Sequence, residues 1–165
     1  MTAAAIVIHQ ERPDQPEVRA LLDELDAYLS ALYEPEANHI LDIQALLAPQ
    51  VRFFVARDAA GQVLATGAWR RMDGEPASGG QPYGEVKRMV VQPGQRGRGF
   101  GRMMLEVVET SMRSEGIALA MLETGEAQTE AVGLYQRCGY RRCGPYAAYP
   151  DNGLSVFMVK SLVRA

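Results

Sequence analysis

The sequence predicts a mixed α/β fold in which one β-sheet carries helices on both faces. Two patterns predict it. Segments with helical spacing of apolar residues alternate with short, strand-like segments in the order β, α, α, β, β, β, α, β, α, β, β. In addition, a loop rich in glycine and arginine, residues 95–101, leads from one of these strands directly into a helix. Such alternation is typical of a sheet covered by helices.

The first half of the chain contains two predicted helices and three predicted strands. The first helix has an apolar stripe formed by Val18, Leu21, Leu22, Leu25, Leu29 and Leu32. Asp58 to Gly61 predicts a hairpin turn, and residues 72–82, rich in Gly, Pro and Ser, predict a flexible loop. The elements are a strand at 3–9, helices at 14–33 and 38–47, and strands at 51–57 and 62–70.

The second half contains two predicted helices, each closed by a glycine. Gly116 is expected to end the first and Gly139 the second. The apolar residues of the first of these helices are Met104, Leu105, Val107, Val108 and Met112. The elements are a strand at 85–91, a helix at 100–115, a strand at 117–122, a helix at 129–138 and two strands, from Tyr140 onward and at 155–161.

The composition restricts the class of protein. A chain of 165 residues, 47% apolar and 22% charged, fits a single globular domain over 1–165. Its net charge of −3 argues against a nucleic-acid partner. An N-terminus without signal character and the absence of a long apolar stretch predict a cytoplasmic protein that does not enter a membrane. Cys138 and Cys143 lack metal-ligand spacing, so no metal site is expected; free thiols are favoured over a disulfide.

The glycine-arginine loop, which precedes the predicted helix at 100–115, has the properties of an anion site. Gly97, Gly99 and Gly101 leave the backbone bare, so that N–H groups can converge at the positive end of the helix dipole. Arg96 and Arg98 add positive charge, which favours a polyphosphate. The spacing matches neither the Walker loop nor the dinucleotide fingerprint. The alternative interpretation is a connection with solvated arginines.

The pattern Arg96-x-x-Gly99-x-Gly101, after a strand that ends in Val-x-Pro, resembles the pyrophosphate loop of the GNAT N-acetyltransferase superfamily. Leu122-Glu123-Thr124-Gly125, Gln128-x-x-Ala131-x-x-Leu134-Tyr135 and Cys138-Gly139-Tyr140 continue the resemblance in order and spacing. It implies a GNAT-like fold: a mostly antiparallel seven-stranded sheet, splayed between strands 4 and 5 and flanked by four helices. It also implies acetyl-CoA as cosubstrate, and a homodimer as a weaker expectation.

The resemblance assigns cofactor contacts residue by residue. The backbone of the fourth strand would pair with the pantetheine arm, and the loop would hold the diphosphate. Gln128 stands where many relatives have an asparagine that contacts the cofactor arm. The cofactor-binding residues implied are Met89, Val90, Val91, Arg96, Gly97, Arg98, Gly99, Phe100, Gly101 and Gln128.

Three residues are candidates for catalysis. Tyr135 stands where GNAT enzymes commonly keep the tyrosine that serves the leaving sulfur; the alternative is a packed aromatic. Glu85 and Glu123 lie at predicted strand ends, and either carboxylate can relay the amine proton through water. The alternative for Glu123 is that it only terminates its strand. An N–H near Met89 or Val90 would stabilise the developing oxyanion.

The acceptor is expected to be a small-molecule amine. His39, Trp69, Lys87 and Arg88 are the candidate acceptor-binding residues. Lys87 and Arg88 favour an amino acid-like or otherwise acidic amine, unless they form structural ion pairs with Glu85 or Glu123. Charges on this strand can also simply lie at a wet strand end. Acetylation of a protein lysine or N-terminus, and a non-catalytic CoA-binding sensor, are the alternative functions.

Overall fold

The computed structural model describes residues 5–35 and 38–163, and its elements follow the predicted order. The α-helices are α1 Pro16–Leu32, α2 Ile43–Leu46, α3 Phe100–Ser114 and α4 Thr129–Arg137. The strands are β1 Val7–Gln10, β2 Val51–Arg57, β3 Val63–Met72, β4 Tyr83–Val91, β5 Leu119–Gly125, β6 Arg141–Cys143 and β7 Ser155–Ser161. In the described part of the chain, no helix has the length and apolarity needed to cross a bilayer.

The seven strands form one mixed sheet in the order β1-β2-β3-β4-β5-β7-β6. The pairs β1–β2, β5–β7 and β6–β7 are antiparallel, whereas β4 and β5 are parallel. The parallel register joins Gly84 to Ala120 and Glu85 to Met121. The predicted fold class, a mostly antiparallel seven-stranded sheet with helices, is confirmed.

The chain divides into two compact units, each with its own core. The first comprises the described residues of Met1–Trp69 together with Lys87–Val108, and the second Arg70–Val86 with the described residues of Glu109–Ala165. In the first, α1 buries Val18, Leu21 and Leu22 with residues of β2 and β3. In the second, aromatic residues dominate: Tyr83, Tyr146 and Phe157 pack with Met121 and Val159. The prediction of a single domain stays a prediction.

Two first-half elements are shorter than predicted. The α2 helix covers Ile43–Leu46 instead of 38–47, because Asp42 is its N-cap and its side chain accepts a hydrogen bond from the Ala45 N–H at 2.8 Å. The first strand begins at Val7; residues 3 and 4 of its predicted range lie outside the described residues. On α1 the buried stripe does not reach Leu32, which is exposed at the end of the helix.

The second-half helices end as predicted, but β5 is shifted toward the C-terminus. Gly116 and Gly139 have φ values of 79° and 93°, the left-handed conformation that closes a helix. The Ile117 N–H donates to the Met112 carbonyl at 3.0 Å, which completes the end of α3. Pairing with β7 therefore starts only at Leu119, opposite Ser161. The predicted loop 72–82 contains a 3₁₀ turn, Pro76–Ser78.

Candidate active site

The glycine-arginine loop lies between a 3₁₀ turn, Pro93–Gln95, and the first turn of α3. Its start is anchored, because the Gln92 N–H donates to the Leu64 carbonyl at 2.9 Å. Arg98 donates to the Gln95 side chain at 2.5 Å, and its guanidinium carbon is 5.2 Å from the centroid of the Phe100 ring. The Phe100 side chain is buried, whereas the arginines of the loop are exposed. The loop is thus fixed at both ends with its cations in solvent.

Two glycines give this loop a conformation that other residues rarely adopt. Gly97 and Gly99 have φ values of 79° and 85°, and a Cβ added at either position would meet no heavy atom within 4 Å. The Met103 N–H donates to the Gly99 carbonyl at 3.0 Å, which makes Gly99 the N-cap residue immediately before α3. The N–H groups that follow it, starting with Phe100 and Gly101, have no intrahelical acceptor by helix geometry. An open, bare helix N-terminus of this kind suits a diphosphate.

The charged residues of β4 are buried, which excludes the interpretation that they lie at a wet strand end. Glu85 is 0% exposed, and Lys87 and Arg88 are 8% exposed each. Met89 and Val91 are half-buried. The Met89 sulfur packs so close to β3 that a Cβ on Gly67 would lie 2.8 Å from it. In the role predicted for it, Met89 would therefore offer its backbone.

Arg88 is the strained residue of β4. Its φ of 55° is a left-handed value that residues other than glycine adopt at a cost. Two contacts hold it: the Thr66 hydroxyl donates to its carbonyl at 2.9 Å, and its guanidinium donates to both carboxylate oxygens of Asp26 on α1, at 2.5 and 3.3 Å. Arg88 thus forms an ion pair, as the alternative interpretation allowed, but the observed partner is Asp26. The guanidinium Nε is buried without a hydrogen-bond partner.

The other predicted acceptor residues of the first unit differ in accessibility. The Lys87 ammonium donates to the His39 carbonyl at 3.2 Å, which joins β4 to the segment between α1 and α2. His39 is half-buried. Trp69 is 0% exposed, with the Arg52 guanidinium carbon 6.0 Å from its ring centroid. The predicted contact of Trp69 with an acceptor stays a prediction, and such complete burial does not favour it.

Glu85 is the centre of a polar network within the second unit. Its carboxylate accepts from Arg70 at 2.7 Å, from the Tyr146 hydroxyl at 2.6 Å and from the Tyr149 hydroxyl at 2.7 Å. Burial, followed by the negative charge of Glu85, raises the pKa of both tyrosines, so they remain protonated donors around neutral pH. Three donors thus converge on one carboxylate that has no exposed surface.

Glu123 and Gln128 are both more accessible than Glu85. Glu123 lies opposite Phe157 in the β5–β7 register, and its carboxylate accepts from the Ser155 hydroxyl at 2.7 Å. Gln128 is the residue before α4, and its N–H donates to the Gly125 carbonyl at 2.9 Å. Its side-chain amide does not cap the helix. Both side chains are half-buried.

Tyr135 lies on the buried face of α4 and is 7% exposed. Its ring packs edge-on against Tyr140, with centroids 5.7 Å apart. Burial, with a smaller effect of Cys138, raises the pKa of Tyr135. The phenol therefore stays protonated at neutral pH and can donate a hydrogen bond. Cys138 and Cys143 are both half-buried, and no disulfide joins them.

Comparison with known proteins now decides the family. The model of the acetyltransferase (GNAT) family matches residues 18–140. The chain belongs to this family. It is therefore an acyltransferase that uses acetyl-CoA as cosubstrate and transfers the acyl group to an amine-type acceptor.

Individual relatives support the assignment. An IAA acetyltransferase of Azospirillum brasilense is 45% identical over 157 residues, which are 95% of this chain and 98% of the relative. A proposed acyl-CoA N-acyltransferase from Klebsiella pneumoniae is 30% identical with a TM-score of 0.78, covering 96% of this chain and 98% of that one. A GNAT acetyltransferase from Elizabethkingia anophelis with acetyl-CoA bound, 17% identical, has a TM-score of 0.63 and covers 95% and 98%. At that identity it shows the shared fold alone.

Sequence reasoning missed two acids, the half-buried Asp26 and the buried Glu109, although each left a signal. Asp26 follows Val18 and Leu22 at intervals of four residues, so it interrupts the apolar stripe of α1. Glu109 follows Leu105 in the same way on α3. An acid in an apolar stripe needs a buried partner. Nothing in the spacing would have identified Tyr149 as a ligand of Glu85.

Proposed function

We propose that this protein is an N-acetyltransferase that moves the acetyl group of acetyl-CoA to the primary amine of a small molecule. The observation that carries the proposal is the open loop Arg96–Gly101 at the start of α3, in a chain of the GNAT family. When bound, acetyl-CoA supplies a thioester whose acetyl carbon is open to attack by an amine. The contributions of the protein are binding, orientation and proton transfer.

The loop would hold the diphosphate of the cosubstrate. The bare N–H groups that start α3 provide donors, and Arg96 provides an exposed counter-charge. Because Gly97 and Gly99 carry no Cβ, a diphosphate can approach their backbone closely. The backbone of Met89–Val91 would pair with the pantetheine arm, with the Gln128 amide as a further contact. An N–H at Met89 or Val90 would donate to the thioester carbonyl oxygen.

Tyr135 would serve the sulfur as a hydrogen-bond donor. An ordinary phenol has a pKa of ~10 and a thiol ~8.5, so complete proton transfer to a thiolate already costs about 2 kcal/mol. Burial raises the pKa of Tyr135 further and increases this cost. Donation of a hydrogen bond needs no transfer and still stabilises the leaving thiolate. The role proposed for Tyr135 is therefore donation to the thiolate.

Glu123 is the better candidate for the base that receives the amine proton. A base must hold a lone pair available to the amine or to a water molecule that bridges to it. The half-buried Glu123 meets this requirement better than Glu85, which has no exposed surface and accepts three hydrogen bonds. We assign Glu85 the role of holding Arg70, Tyr146 and Tyr149 in place.

The acceptor would be a small amine that carries its own negative charge. The Lys87 ammonium is buried at the His39 carbonyl, and a carboxylate or phosphate beside the amine would complement its charge. Arg88 carries the second positive charge of this strand, and it forms an ion pair with Asp26. The acceptor in the name of the Azospirillum brasilense relative, IAA, is a second compound to test.

The loop assignment predicts a selective loss of cosubstrate binding. Gly99→Val places a β-branched side chain at a φ of 85° on the proposed diphosphate site, and acetyl-CoA affinity should fall more than about tenfold, or about 1.4 kcal/mol. The measurement is thermal stabilisation and titration calorimetry with acetyl-CoA. Gly61→Val is the matched control, because Gly61 has a φ of 82° and equally open space in the β2–β3 turn. Equal affinity in the two variants would contradict the loop assignment.

The acceptor class predicts a ranking of amines. CoA release from acetyl-CoA is measured with the amines glycine, aspartate, glutamate, phosphoethanolamine, spermidine and spermine. IAA, taken from the name of the relative, is measured beside them. Acidic amines should give the highest kcat/KM because of the charge of Lys87. Lys87→Met should remove that preference, while thermal stabilisation by acetyl-CoA stays unchanged. A clear preference for polyamines in the unmodified protein would refute the acidic acceptor without affecting the assignment of the cosubstrate loop.

A further inference from the structure

A second buried carboxylate, Glu109, has no place in the mechanism above. It lies in α3 and is 3% exposed. One carboxylate oxygen accepts from the Lys160 ammonium at 2.8 Å, and the other accepts from the Tyr140 hydroxyl at 2.9 Å. The Arg113 guanidinium is 3.8 Å away. The network joins α3, β7 and the residue after the α4 turn, all within the second unit.

Tyr140 connects this network to Tyr135 in two ways. Its N–H donates to the Tyr135 carbonyl at 3.0 Å, across the turn that Gly139 closes at the end of α4. Its ring packs against the Tyr135 ring with centroids 5.7 Å apart and planes at 63°. Lys160 is 5.6 Å from the centroid of the Tyr140 ring, so the cation that pairs with Glu109 also lies over this ring.

We propose that Glu109 and Lys160 fix the ring of Tyr140, and that Tyr140 in turn fixes the direction of the Tyr135 hydroxyl. Tyr140, Glu109 and Lys160 are then positioning residues for the hydrogen bond to the leaving sulfur. The inference rests on the role proposed for Tyr135. A hydrogen bond at the tip of the Tyr140 ring restricts how that ring tilts, and the Tyr135 ring against it can tilt only as far as Tyr140 allows.

The geometry indicates that the Glu109 network orients Tyr135 and does not only stabilise the fold. Packing between α3, α4 and β7 could be supplied by apolar side chains of the same volume, because a buried ion pair adds little net stability over such a core. A carboxylate with fixed partners also restricts the orientation of those partners, because each hydrogen bond is strong only near its ideal angle. Glu109 holds two partners at 2.8 and 2.9 Å, and one of them contacts Tyr135 through both backbone and ring.

The test is a double-mutant cycle in which kcat and the KM for acetyl-CoA are measured with the fastest amine of the panel above. Tyr135→Phe alone should lower kcat about 100-fold. Tyr140→Phe keeps the ring and removes its bond to Glu109; it should lower kcat about fivefold with an unchanged KM. In the Tyr135→Phe background the same change should have no effect on kcat. Glu109→Gln should reproduce the result of Tyr140→Phe and add nothing to it.

Tyr83→Phe is the matched control, because Tyr83 is also buried and donates to a carboxylate, Glu75, at 2.6 Å. Its kcat should equal that of the unmodified protein. Equal losses from Tyr140→Phe with and without the Tyr135 hydroxyl would show a general structural effect and overturn the inference alone. An unchanged kcat in Tyr135→Phe would overturn the role of Tyr135 and the inference together, while acetyl-CoA binding at the loop would still stand.

Discussion

Two residues of β4 that lie three positions apart, Glu85 and Arg88, are both buried and charged, but their surroundings differ. Glu85 has ordinary strand geometry, no exposed surface and three donors from Arg70, Tyr146 and Tyr149. Arg88 has a left-handed backbone, an unsatisfied Nε and one charged partner, Asp26, whose side chain is 38% exposed. One charge is fully compensated, and the other is held in a strained position by a partner that water reaches.

If the mechanism proposed above holds, the difference distinguishes a structural polar network, around Glu85, from one that acts on the reaction, around Arg88. Compensation by several donors makes a buried charge inexpensive and rigid, and it also makes the charge unavailable for chemistry. Backbone strain has the opposite meaning, since it persists only where surrounding contacts impose it and is found mainly at functional sites. Arg88 precedes Met89 and Val90, the residues whose N–H groups are proposed to contact the thioester oxygen. The strain would therefore aim those groups.

The largest expected effect on stability comes from removing the charge of Glu85. Glu85→Gln leaves Arg70 without its carboxylate and should lower the free energy of unfolding by about 3 kcal/mol. The kcat of the folded fraction should stay within about threefold of the unmodified value. Urea denaturation and steady-state kinetics measure the two quantities.

Two companion variants sharpen this expectation. Glu75 is another carboxylate that accepts from a tyrosine, Tyr83, and its contacts with Tyr83 and the Ala147 N–H include no arginine. Glu75→Gln should therefore lower the free energy of unfolding less than Glu85→Gln. Glu123→Gln should show the reverse of Glu85→Gln: nearly normal stability and a kcat about 100-fold lower. If instead Glu85→Gln removed activity with an unchanged free energy of unfolding, Glu85 would be the base.

Much of the fold could be predicted because local signals agree with the global structure. The apolar stripe of α1, the glycine ends of α3 and α4 and the hairpin turn at Gly61 each depend on a few neighbouring residues. Two element boundaries were predicted wrongly, although the contacts that set them are also local. The Asp42 side chain caps α2, so that this helix is shorter than predicted. The Ile117 N–H donates to the Met112 carbonyl, and β5 therefore starts at Leu119 instead of Ile117.

The site was predicted in part for the same reason. The loop from Arg96 to Gly101 is contiguous, so its anion-binding character can be read from sequence. The partners of the buried charges are not contiguous. Asp26 is 62 residues from Arg88, and Tyr149 is 64 residues from Glu85. A one-dimensional pattern shows that a charge in a core needs a partner, but the partner is chosen by the packing of the whole unit.

The smallest expected effect concerns the Arg88 pair itself. Asp26→Asn keeps a hydrogen-bond acceptor and removes the charge; because Asp26 is partly exposed, the loss of stability should be about 1 kcal/mol. The kcat should nevertheless fall about fivefold, with little change in the KM for acetyl-CoA, because Arg88 would relax from its left-handed conformation and the following N–H groups would move.

Glu17→Gln is the matched control for that variant. Glu17 is an exposed acid of α1 that pairs with a β-strand arginine, Arg57, at 3.0 Å; Arg57 also pairs with Glu11 at 2.9 Å and has no strained backbone. Its kcat should be unchanged. If Asp26→Asn and Glu17→Gln altered kcat equally, the ion pair would matter only as an attachment of α1 to the sheet. A drop confined to Asp26→Asn would mean that the strain at Arg88 is part of catalysis, because both variants remove the same kind of contact from the same helix.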